Sequence, residues 1–129
     1  MTDMIRLRVT ATPAAFSVVR MVLGGVAARV DLSLDEIDDL YVAVEELLSA
    51  ATDSGEDPRH ELAIEVVDDG VSINAGPFRS AGLKARLNGQ QGGGFDLDTV
   101  MRGVVESVEV CAAPDDCFCV VFAKRRGAS

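Results

Sequence analysis

Three stretches of the chain carry side chains whose types and spacing could do chemistry. The first is AVEELLSAATD, residues 43–53, with Glu45 and Glu46 side by side. At about 100° per residue a helix projects Asp39, Val42, Glu46, Ala50 and Asp53 together, with Glu45 nearer the apolar border. A carboxylate on that face is either solvated or stands on a pocket floor, where Glu46 would be the base. The second is SINAGPF, residues 72–78. The Asn74 amide both donates and accepts, which suits a base-like ligand edge, although a strand-ending turn at Gly76-Pro77 explains the same residues. The third is QGGGFDLDTV, residues 91–100. Gly92, Gly93 and Gly94 lead into a helix N-terminus whose free N–H groups and dipole suit an anion. The same run reads equally as a hinge capped by Asp96.

Other chemistries find little support. There is no Walker A and no GxGxxG pattern, and His60 is the only histidine, beside a loop. No metal-ligand cluster is visible. Cys111, Cys117 and Cys119 lack CxxC spacing. They read as small buried hydrophobes in a reducing compartment. The alternative is a disulfide between Cys111 and Cys117, which flank a turn.

The elements that must position these residues follow from periodicity. IRLRVTA (5–11) alternates as a strand. Thr12 and Pro13 then open a helix carrying Phe16, Val19, Leu23, Val26 and Val30 at helical spacing. Ser33 and Glu36 form a capping box for a helix that reaches about Asp53. Leu34, Ile37, Leu40, Tyr41, Val44, Leu47, Leu48 and Ala51 make its apolar stripe. ELAIEVV (61–67) and VSINA (71–75) are strands joined by a tight turn at Asp68-Asp69-Gly70. Residues 76–94 read as a long irregular connection, a lid or a disordered segment. A short helix (96–105) and strands 106–112 and 117–124 follow, with a frayed tail at 125–129. The order β-α-α-β-β-loop-α-β-β predicts an α+β fold, a two-layer sandwich of mostly antiparallel sheet with helices on one face.

The chain's 129 residues fit one domain able to bury roughly two-thirds of its unfolded surface. A net charge of −9 opposes direct nucleic-acid binding and suits protein partners or plain solubility. Local basic clusters remain at Arg6 and Arg8, at Arg79, Lys84 and Arg86, and at Lys124, Arg125 and Arg126. The apolar runs fall short of the ~20 residues of a membrane span, and no signal-like segment opens the chain. The expectation is a cytoplasmic protein without membrane contact.

Taken in this order, an acid-bearing helix, a strand with a glycine turn and a glycine-rich lid before a short helix resemble the GHKL, or histidine-kinase-like, ATPase fold. The small size and the VVRMVL helix are similar to the RsbW/SpoIIAB-type anti-sigma-factor serine kinases. The resemblance implies specific roles. AVEELLSAA (43–51) aligns with the family's AVSEAVTNAV-like helix, making Glu46 the general base. It places Ala50 where the family carries the asparagine that holds Mg²⁺, so no metal ligand is expected there. Asn74 takes the place of the adenine-recognising aspartate in the DxGxGF-like box, Gly76 is kept, and one glycine is missing. GGGFDLDTV (92–100) is similar to the phosphate-wrapping lid, and VVESVEV (104–110) to the closing box, with Val105 for the usual aspartate. Arg20 matches an arginine of the partner-binding helix. The resemblance thus implies protein partners, a sigma factor or a STAS-type antagonist, and a possible homodimer. ATP or ADP is a possible cofactor, with Mg²⁺ use impaired. The alternative is an active serine kinase for such an antagonist.

Overall fold

The computed structural model describes residues 4–88 and 96–127. Its elements run β1 (Met4–Thr10), α1 (Pro13–Ala27) with a 3-10 turn Ala28–Val30, α2 (Leu34–Asp53), β2 (Arg59–Val67), β3 (Gly70–Phe78), α3 (Ala81–Leu87), α4 (Leu97–Arg102), β4 (Ser107–Ala112) and β5 (Phe118–Arg125). The sheet order is β1-β2-β3-β5-β4 and every neighbouring pair is antiparallel. Strand alternation divides the two faces. Leu62, Ile64, Val71, Ile73, Ala75, Val120 and Phe122 are buried, whereas Glu61, Asn74 and Glu109 between them are exposed. The helices cover one face and leave the other open, the predicted two-layer α+β sandwich.

Local chemistry sets the helix starts. Thr12 Oγ1 accepts from Ala15 N ahead of Pro13, and Ser33 and Glu36 complete a reciprocal capping box. Leu23, Leu40, Leu47 and Leu48 are wholly shielded, and each such side chain stabilises the fold by about 1.5–3 kcal/mol. Leu34 departs from the predicted stripe. It lies in the first turn of α2, before the helix meets the sheet, and is 74% exposed.

The β2–β3 turn uses only Asp68 and Asp69, and Gly70 already pairs with Val67. Gly70 is needed for a different reason than a turn. A Cβ there would stand 2.1 Å from the Lys124 carbonyl oxygen, so β5 can lie against β3 only if the side chain is missing.

Several expectations are corrected. The connection after β3 is not irregular throughout, because Ser80 caps α3 by accepting from Leu83 N. Glu56 Oε2 also accepts from Arg79 N and Ser80 N, at 2.6 and 2.5 Å, and holds the start of α3 to the α2–β2 loop. The strand does not end at Gly76-Pro77. It continues to Phe78 past a bulge, where Ala75 faces Val120 and Phe78 faces Phe118. The tail is tied down as far as Gly127. Arg126 N donates to Asp69 O and Gly127 N to Glu36 Oε2.

The basic cluster at 124–126 is not a cationic patch. Lys124 is buried, and Arg125 and Arg126 face Asp69 and Asp31. The segment Pro13–Val30 is long and apolar enough to cross a membrane by length and composition, which short apolar runs do not reveal. Part of that apolarity serves the core, where Phe16, Val19, Leu23, Val26 and Ala27 are buried.

Candidate functional site

The α2 helix presents the base candidate outward, but its neighbour on the same face is covered. Glu46 is exposed, while Ala50, one turn on, is only 4% exposed. α4 packs against α2, and Leu97 and Met101 of α4 are buried. Ala43 and Ala50, seven residues apart and so on nearly the same side of the helix, are both buried. Of the face expected here, Glu46 and Asp53 are exposed, Asp39 and Val42 are half-buried, and Ala50 alone is buried. Local periodicity places Glu45 at the border of the apolar stripe, and there its Oε2 accepts from Tyr41 Oη at 2.9 Å.

Asp39, on the same flank, meets β5. Lys124 is 5% exposed, and its Nζ lies 3.1 Å from Asp39 Oδ2, 3.4 Å from Glu106 Oε2 and 3.0 Å from the Val104 carbonyl. Burial alone would lower the lysine pKa, but the two carboxylates outweigh it and hold it above the usual value. Sequence reasoning missed this ammonium. The signal was parity, since Lys124 continues the inward series of Val120 and Phe122.

Asn74 is not brought to Glu46. It is exposed on β3 between Ala63 and Val121, on the face of the sheet away from the helices. It lines a shallow depression of about 730 Å³ there with Arg6, Glu61, Ser72, Gly76 and Cys119. The β3 residue that points under the helices is Ala75, which is fully buried. The reason is the strand's two-residue period, and the buried Val71 and Ile73 already mark the inward parity.

Gly76 has a structural reason of its own. Its φ is +130°, and a Cβ would lie 3.1 Å from the Phe118 carbonyl oxygen and 3.2 Å from Cys119 Cα. Gly92, Gly93 and Gly94 lie outside the described residues. Val105, in the closing box, is buried at 4% exposure. Arg20 has a partner within the chain, Asp38 of α2, and the pair links α1 to α2.

At the far end of α2, His60 is buried beside Phe78, with ring centroids 6.0 Å apart. Its Nε2 is 3.0 Å from Thr52 Oγ1, which also lies 3.0 Å from the Leu48 carbonyl. With the hydroxyl proton given to Leu48, Nε2–H donates to Thr52. Burial lowers the His60 pKa, and nearby Glu56 and Asp57 partly offset it.

Among the described residues, the side chains around this part of α2 are apolar. Methyl groups stand at Ala50 and Ala75, Phe78 is 1% exposed, and Leu83 and Met101 are fully buried. Among the described residues, no three His, Cys, Asp or Glu side chains gather where they could hold a metal ion.

The fold is a two-layer α+β sandwich. The chain resembles RsbW-type proteins. It is 38% identical over 75 residues to the serine-protein kinase RsbW of Bacillus subtilis, an alignment covering 55% of this chain and 47% of that protein. The chain thus spans about half the length of the curated relative it matches. The structure of the RsbU and RsbW domains of Rv1364c from Mycobacterium tuberculosis matches with a TM-score of 0.61 over 96% of this chain and 33% of that one, at 16% identity. That likeness is one of fold. No protein-family model matches the chain.

Proposed function

We propose that the chain is an RsbW-like regulatory protein that acts by binding protein partners, with Mg-ATP use impaired or lost. The partners this reading names are a sigma factor or a STAS-type antagonist. The observation that carries it is Ala50, a buried methyl where the resemblance calls for a metal ligand. Phosphoryl transfer depends on metal and electrostatic stabilisation of the phosphates, and a methyl supplies neither. A binding role is supported by the apolar side chains left outside: Val18 at 56%, Met21 at 74% and Leu34 at 74% exposure.

A second reading is an active serine kinase for such an antagonist. It is favoured by the exposure of Glu46, which leaves a carboxylate free to act as base. One experiment separates the two. The purified chain is mixed with a sigma factor or a STAS-type antagonist, with and without Mg-ATP. The proposal expects capture that does not depend on nucleotide and no phosphate transfer. Phosphate incorporation into the antagonist, abolished by Glu46→Gln, establishes the kinase and overturns the proposal.

A further inference from the structure

The cysteines supply an observation that the functional reading leaves unused. The antiparallel register of β4 and β5 sets Cys111 directly opposite Cys119. Both positions have outward parity. Val110, Val120 and Phe118 point inward, so the two thiols share the open face of the sheet. Directly opposed residues in an antiparallel pair have Cα atoms ~4.5 or ~5.5 Å apart, and both spacings lie in the range a disulfide spans. The pairing expected from the turn, Cys111 with Cys117, is corrected. Cys117 lies outside β5, buried at the turn, with its Sγ toward the Asp115 carbonyl. All three cysteines are free thiols here.

Access favours the same pair. β4 is an edge strand, Cys111 is half-buried on it, and Cys119 lines the open-face depression beside Gly76. We propose that Cys111 and Cys119 form a reversible redox site, closed to a cross-strand disulfide by hydrogen peroxide and reopened by a dithiol reductant. The Cys111 sulfur attacks one peroxide oxygen, the O–O bond breaks, and a sulfenic acid and one water form. The Cys119 sulfur then attacks the sulfenic sulfur. The S–S bond forms, the S–O bond breaks, and the hydroxyl leaves with the Cys119 proton as a second water. The two thiols lose two electrons in all, and the peroxide gains them.

This order suits the two environments. Burial, with the neighbouring Cys111 and Cys117, raises the Cys119 pKa and disfavours it as the first thiolate. Closing the bond also turns the Cys119 sulfur toward Cys111. In the reduced protein that sulfur stands 3.3 Å from where a Gly76 Cβ would be, so oxidation changes the floor of the depression next to the bulge.

The test uses the full chain, reduced and then treated with hydrogen peroxide. Intact mass should fall by two hydrogens and recover with dithiothreitol. Cleavage before Asp115 separates Cys111 from Cys117, and cleavage after Phe118 separates Cys117 from Cys119, so the linked pair can be read in the wild-type protein. The expected link is Cys111–Cys119. Cys117→Ser should oxidise like wild type, whereas Cys111→Ser and Cys119→Ser should not close a disulfide. A link that includes Cys117, disulfide-joined dimers, irreversible oxygen addition or no mass change overturns the proposal.

Discussion

Replacing Ala50 with asparagine restores the side chain that the family resemblance places at the metal position, and the structure predicts that this fails. Ala50 is 4% exposed on the flank of α2, against which α4 packs. Forcing extra atoms into a packed interior costs about 1–3 kcal/mol. An amide buried there without partners adds about 1–3 kcal/mol. Ala50→Asn should therefore destabilise the fold by about 2–6 kcal/mol. For a domain of this size that lowers the Tm by roughly 8–24 °C. Urea denaturation measures the loss, and a thermal melt with and without Mg-ATP asks whether a ligand recovers it, because tight binding to the native state raises stability by mass action. A variant as stable as wild type, or one whose Tm rises with Mg-ATP, would show that the space is open and only the ligand was missing. Either result refutes the packed-site reasoning.

Two further outcomes follow from the buried charge and the buried imidazole. Lys124→Met leaves Asp39 and Glu106 facing one another and the Val104 carbonyl unpaired. The carboxylates are 41% and 28% exposed, so water softens the loss to about 2–3 kcal/mol, readable by urea denaturation. The His60 pKa is lowered by burial, so its neutral form supports folding fully above about pH 6.5. Stability should fall as pH drops from there toward the folded-state pKa, and a His60→Asn variant should lose that acidic limb in denaturation curves taken across the range.

Much of the framework was legible because its signals are local. Thr12 with Pro13, and Ser33 with Glu36, announce two helix starts within four residues each, and the structure uses both. The 3.6-residue period separated Glu45 from Glu46 correctly as half-buried and exposed positions. Strand parity also held information that had to be applied consistently. The buried Val71 and Ile73 already send Ala75 inward and Asn74 outward, and Val120 and Phe122 send Lys124 inward. The helix α3 was hidden by a polar, glycine-containing stretch whose start is held by Ser80 and, from another loop, by Glu56.

By itself the sequence determined the order of elements, the antiparallel hairpins and the acid on α2, since each depends on neighbours a few residues apart. Tertiary structure alone decided what covers each face. Ala50 became a buried position rather than an open one through tertiary packing, and α4, more than forty residues later, is among the elements that pack on α2. Gly70 must be glycine because β5 crosses it, and Cys111 meets Cys119 rather than Cys117 because the turn sets the register. Periodicity gives the direction of a side chain. Only the packing of distant segments supplies what that side chain meets.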